Sequence, residues 1–361
     1  MATRQEVAGD ARECYAEGAT ERFTDEAFTR MMFLDGCFIL QFMYCIVNSK
    51  RETMKLKSYD VAFMQRDLFL LENQLPFLVL EELMSLRLVK DGWREMIINF
   101  IKQARATPPP RGDSWKKMII NFMMSKCIWG KQGSTMTKKG GFEGHPVHLL
   151  ELFRTQIIDI KALTSDCGCS QSSTDWFSYR SAKELKMVGI HFRAHEIRCF
   201  SDVKFKSNLF SGQLTLPPVT IDDSTKSMLL NLVAYETCPD APEDFGVTSY
   251  ICFMDSLIDQ AEDVMELRSK GILLNFLGSD QQVADLFNEI ANDLVPNPNA
   301  YLEAKRGIER HCKSNIKIWI AEWLHTHFTS PWTFLAFFGA ILALSLSVMQ
   351  TYYARFPPKN S

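Results

Sequence analysis

The chain has 361 residues, 46% of them apolar and 23% charged, which excludes general disorder and suffices for one large domain or two ordinary ones. Its 40 basic and 43 acidic residues leave a net charge of −3, which gives no support for nucleic-acid binding.

Residues 1–22 are polar and are expected to be frayed or weakly helical. From Asp25 to Val47 apolar residues recur at spacings of three and four (Phe28, Met31, Met32, Phe38, Ile39, Phe42, Met43), which predicts a helix that Gly36 interrupts without ending. Asn48–Tyr59 reads as a loop. A second helix is predicted from Val61 to Asn73, and Pro76 suits the first turn of a third reaching Leu86. Trp93–Phe100 recurs as Trp115–Phe122 with six of eight positions identical. Two copies are too few for a solenoid, so a local duplication of one amphipathic helix is expected, with chance similarity of two core helices as the alternative.

Residues 130–145 are rich in Gly, Lys, Ser and Thr and read as an exposed loop, as do 164–176, with helical periodicity between them from His148 to Ile160. Ser181 with Glu184 forms a capping box, and Gly189 is the stop. Alternation at Ile190 and Phe192, Val203 and Phe205, and Leu214 and Leu216 predicts three short strands within 190–222, in a small antiparallel sheet. Asp223 is expected to cap a helix over Ser224–Thr237. Further helices are expected over Ser249–Asp259, then to Ser269 before Gly271, from the Ser279–Gln282 capping box to Val295, and over Ala300–His325.

Trp332–Tyr353 is 22 residues without a formal charge. As a helix it reaches roughly 33 Å, enough for a bilayer core, with a buried core helix as the alternative. Trp332 at one end, and Tyr352 and Tyr353 at the other, suit the membrane interface, and Ser330 and Pro331 suit a helix start. The first 30 residues hold no secretory signal pattern, the chain has no Asn-x-Ser/Thr sequon, and its ten cysteines follow no framework spacing. Together these predict a single-pass C-terminal anchor with the body in the cytosol. Lys313 and Lys317 on one side and Arg355 and Lys359 on the other leave the orientation open, and neither plasma membrane nor endomembrane is selected.

The most tempting cluster is Arg66, Asp67, Glu72, Asn73 and Gln74. Residues 66 and 73 would share a helix face two turns apart. The cluster reads either as a polar pocket or as a structural network, with Arg66 paired to a carboxylate such as Asp35 and Asn73 capping the helix of Pro76. His191, His195 and Cys199 would have metal-ligand spacing on a helix, but alternation sends His191 and His195 roughly 13 Å apart along a strand. His145 and His148 carry no stronger signal. Cys167-Gly168-Cys169 lacks partner ligands, and Gly130–Gly141 lacks the order of a phosphate loop. The acidic run Asp255, Asp259, Glu262, Asp263 and Glu266 reads as a solvated helix face. No cofactor and no metal is expected.

Several segments in order resemble a plant family known only as domain of unknown function 247. They are Ala11–Tyr15, Met32–Ile39, Arg66–Phe77, His148–Leu150, Ser181–Leu185, Asn231–Glu236, Thr248–Tyr250, Met254–Ile258 and Gly278–Asp280 with Leu286–Asn288. The resemblance implies a C-terminal membrane segment and no established catalytic residue. Some grass members are implicated in self-incompatibility, which implies recognition of a partner. Members usually begin with a further stretch carrying a Val-Ser-Ile-Gly-Pro-type motif, so a shortened copy is expected.

The expected fold is mainly α, of the α+β class, with a polar segment 1–22, a family domain 23–325, a transmembrane helix 332–353 and a tail 354–361. The expected function is a membrane-anchored interaction or recognition module, its partners a lipid bilayer and an unidentified protein, with specificity on the loops 130–145 and 164–176. The alternative is a membrane-tethered enzyme with a polar site around Arg66, Glu72 and Asp35.

Overall fold

The computed structural model describes residues 2–85, 92–104, 145–159, 163, 180–196, 198–208, 211–313 and 331–355. The second copy of the tryptophan repeat, the Cys167-Gly168-Cys169 segment, the loop 164–176 and all of the loop 130–145 except His145 lie outside them.

The polar first segment holds a helix. Helix α1 (Ala2–Glu13) buries Ala11, and Arg12 then pins the following turn. Its guanidinium donates to the Thr20 carbonyl at 2.9 Å, pairs with Asp25 at 3.1 Å, and covers the Phe28 ring at 4.5 Å. Helix α2 (Asp25–Val47) has the bounds its periodicity predicts, with Thr24 as N-cap. Its inner face buries Phe28, Met32, Phe42 and Met43. Gly36 is buried, and a Cβ there would collide with Leu83.

Helix α3 runs from Ser58 to Asp67 and stops there, six residues short of the predicted end. Leu71–Asn73 is a separate 3-10 turn. Side-chain amides explain the break. Asn73 Nδ2 donates to the Asp67 carbonyl at 2.9 Å, and Gln74 Nε2 donates to those of Leu68 and Leu70 at 2.9 and 2.7 Å. Such local bonds offer the backbone an alternative to helix. Helix α4 (Phe77–Ser85) and helix α5 (Trp93–Ala104), the first copy of the repeat, pack against α2.

Helix α6 (Leu149–Ile157) starts at the N-cap His148. Helix α7 (Ala182–Met187) has the predicted Ser181–Glu184 capping box, and Gly189 takes φ +81° behind it. Strands β1 (Ile190–Ala194), β2 (Lys204–Ser207) and β3 (Gly212–Leu216) form a sheet in the order β1-β3-β2. The sheet is mixed, not antiparallel: β1 pairs with β3 in parallel and β2 pairs with β3 antiparallel. Strand β4 (Val219–Ile221) pairs in parallel with β5 (Leu273–Asn275) across three intervening helices. Alternation reveals a strand's two faces, whereas its partner and direction depend on distant chain.

Helix α8 (Thr225–Glu236) is opened by Asp222 rather than Asp223. Asp222 Oδ1 accepts from the Ser224 amide at 3.0 Å and the Ser224 hydroxyl at 2.7 Å. Helices α9 (Gly246–Asp255), α10 (Ala261–Ser269) and α11 (Asp280–Ile290) follow, the last with the predicted Ser279–Gln282 box but ending before Val295. Helix α12 (Leu302–Lys313) lies across β2 and β3. One contiguous apolar core runs from Ala11 of α1 to Cys312 of α12. Helix α13 (Pro331–Arg355) closes the described chain. The fold is thus mainly helical with small mixed and parallel sheets.

Candidate functional site

The polar cluster at Arg66 is brought together only in part. Arg66 pairs with its neighbour Asp67 at 3.1 Å, and both side chains are more than two-fifths exposed. Asn73 joins them through the Asp67 carbonyl. Asp35 and Glu72 are exposed, and no hydrogen bond or ion pair among the described residues joins them to the cluster. Asp35 instead lines a shallow open depression on α2 with Thr24, Glu26, Arg30 and Leu34. With α3 ending at Asp67, residues 66 and 73 do not share a helix face.

Among the described residues a cluster of three charges lies buried in the core. Arg154 of α6 is 1% exposed, Glu236 closes α8, and Asp244 lies just before α9. Arg154 Nε donates to Glu236 Oε1 at 2.8 Å, and its Nη2 pairs with both Glu236 and Asp244. Glu236 also accepts from the amides of Val247 and Thr248 at 2.8 and 2.9 Å and from the Thr248 hydroxyl at 2.7 Å. Asp244 accepts from the Gly246 amide at 2.9 Å. Two carboxylates face one guanidinium, and the excess negative charge lies at the N-terminus of α9, where free amides and the helix dipole favour it. Burial alone would lower the Arg154 pKa, but Glu236 and Asp244 outweigh it and the net shift is upward. The guanidinium therefore stays charged, and the cluster locks three helices.

Sequence reasoning missed Arg154 and Asp244. A signal was present, because Arg154 lies on the helical stripe of Leu150, Phe153 and Ile157, where an unpaired charge is costly. The segments that carry the family resemblance supply other rivets of the same kind. Asn231 Oδ1 accepts from the Leu71 amide at 2.7 Å, Gln74 Oε1 accepts from the Leu150 amide at 3.0 Å, and Ser249 Oγ accepts from the Asn297 amide at 2.9 Å. Their side chains hold distant backbone together.

The remaining candidates are dispersed. His191 is exposed on β1, and Cys199 donates to the Ile157 carbonyl at 3.3 Å. His145 is exposed and lies 3.1 Å from Glu81, while His148 Nδ1 accepts from the Glu151 amide at 3.1 Å. Among the described residues no group of three His, Cys, Asp or Glu side chains could hold a metal ion. The acidic run is not wholly a solvated face. Asp263 is buried and accepts from the amides of Lys183, Asp259 and Gln260, and Glu266 pairs with Lys186 at 2.6 Å.

Two helices bear on the membrane question. Among the described residues, the helix long and apolar enough to cross a bilayer by length and composition is α2, near the N-terminus, and 44% of its apolar window is buried in the body. Within α13 the corresponding described stretch is shorter, Phe338–Thr351. The length-and-composition criterion therefore selects α2 rather than the C-terminal helix that the sequence singled out. Trp332, Tyr352 and Tyr353 have their backbone in α13.

The family described as plant protein of unknown function, DUF247, matches residues 1–346. The UPF0481 protein At3g47200 of Arabidopsis thaliana is 28% identical over 369 aligned residues, covering 95% of this chain and 70% of that protein. A second UPF0481 protein of the same plant, At3g02645, is 32% identical over 174 residues, covering 48% of this chain and 32% of that protein. No solved structure matches.

Proposed function

The chain belongs to the plant family DUF247, whose function is unknown, and from that premise we propose a membrane-anchored protein whose helical body presents a surface to another protein. The observation that carries the anchor is α13. Its 25 residues reach roughly 37 Å as a helix, and Leu335, Phe338, Ile341, Leu342, Leu344, Leu346, Val348 and Met349 are all more than two-fifths exposed. These positions spread over more than half of the circumference of the helix, which in water would leave a large unsatisfied apolar surface. Helix α2 differs, because one face is built into the core against α4 and α5. In this reading Trp332, Tyr352 and Tyr353 sit at the interfaces and the body faces the cytosol. The interaction role is preferred to an enzyme around Arg66, Glu72 and Asp35 because the three side chains are not gathered into one site.

The test is topology in plant cells. After an alkaline carbonate wash the full chain should remain in the membrane pellet, and protease should digest the body without detergent. Release by carbonate would sink the anchor. Protection until detergent is added would move the body to a lumen or the cell exterior.

A further inference from the structure

We infer that the outer side of α3 is a second membrane contact, a site for anionic lipid headgroups. Tyr59 and Phe63 stand one helical turn apart there and are 48% and 53% exposed. Their rings meet edge to face with centroids 6.5 Å apart. A cation lies at either end. Lys57 Nζ is 5.5 Å from the Tyr59 ring centroid, and the Arg66 guanidinium carbon is 5.3 Å from that of Phe63. The four side chains form one continuous row, cation, ring, ring, cation. On the opposite side of the helix Val61 is buried in the core, so the row faces outward.

That order of groups matches a bilayer surface. Aromatic rings settle at the headgroup boundary, and basic side chains beside them meet anionic phosphate and carboxylate groups. The local charge agrees. Residues 50–67 hold five basic and three acidic side chains, although the whole chain is net negative. Of those acids, Asp60 accepts from the Lys57 amide at 3.0 Å, and Asp67 pairs with Arg66 in an exposed contact that a headgroup can replace. The choice of a lipid surface over an acidic protein rests on the anchor reading above.

Flotation tests it with the full chain carrying Leu342→Asp and Leu344→Asp, which block insertion of α13 and are repelled by anionic lipid, so that binding reports the body. The expected result is flotation with phosphatidylcholine vesicles containing phosphatidylserine. Binding should fail with phosphatidylcholine alone and in ~1 M salt, where screening shortens to roughly 3 Å. Adding Tyr59→Ser with Phe63→Ser, or Lys57→Glu with Arg66→Glu, should lower the bound fraction about tenfold. An unchanged melting curve will show the fold intact, since all four side chains lie at the surface. Absence of flotation, indifference to lipid charge, or survival of binding in both paired variants would overturn the proposal.

Phe63→benzoylphenylalanine in the otherwise unmodified chain gives a second reading. Lipid adducts after illumination of membranes support the site. Adducts to protein alone assign the row to a protein partner and overturn the lipid assignment. Failure of the anchor would appear separately, as carbonate release of the unmodified chain.

Discussion

Arg154 shows how much one buried side chain can decide. Its charge is tolerated because Glu236 and Asp244 surround it, and those carboxylates are tolerated because the first amides of α9 face them. Arg154→Met would leave two carboxylates buried without their cation. The expected loss is about 3–5 kcal/mol of unfolding free energy, measured by urea denaturation. Replacing Arg154, Glu236 and Asp244 together by apolar residues of similar volume should cost much less, because no charge is then stranded. His148 makes a second prediction at this scale. Burial lowers its pKa, with the Glu151 carboxylate pulling the other way, and its Nδ1 must stay unprotonated to accept from the Glu151 amide. A folded pKa below the unfolded value of 6.5 favours folding fully above that pH. As the pH falls below 6.5, the unfolded chain takes up the proton first and stability declines. His148→Asn keeps an N-cap that does not titrate, so its Tm should fall less than that of the unmodified protein between neutral and mildly acid buffer.

At the scale of elements, the approach of α4 to α2 depends on one missing side chain. Gly36→Leu fills the crossing point against Leu83 and Val79. Leucine favours helix by about 0.8 kcal/mol over glycine, but overpacking costs about 1–3 kcal/mol. A net loss of stability is expected in thermal melts, whereas a rise in Tm would show that α4 can shift freely. The break after α3 is a second example. Asn73 and Gln74 satisfy three backbone carbonyls that a continuous helix would have bonded. Asn73→Ala with Gln74→Ala removes those bonds, and a loss of about 1–3 kcal/mol is expected on the same measurement.

At the scale of the whole molecule, α13 stands apart from the core that joins α1 to α12. Its described side chains are exposed, so they add little to the body's cohesion. A chain ending at residue 330 should melt within about 2 °C of the full protein in detergent and should be stripped from membranes by alkaline carbonate. A large drop in Tm would show that α13 packs on the body and would weaken the anchor reading.

The local devices were legible without coordinates. The bounds of α2, the capping boxes at Ser181 and Ser279, and the glycine stops at Gly189 and Gly271 depend on residues within a turn or two of each other. The family too was carried by contiguous segments, and residues 1–346 match it. Contacts across the chain required the fold. The parallel pairing of β1 with β3 joins residues 22 apart, and that of β4 with β5 joins residues 54 apart. Arg154 meets Glu236 and Asp244 from 82 and 90 residues away. Asn73 and Gln74 were visible as a polar knot, but that they would end a helix depended on which carbonyls came within reach. Hydrophobic period and capping are set by neighbours in the chain, whereas strand direction and the partner of a buried charge are set by which distant segments share the core.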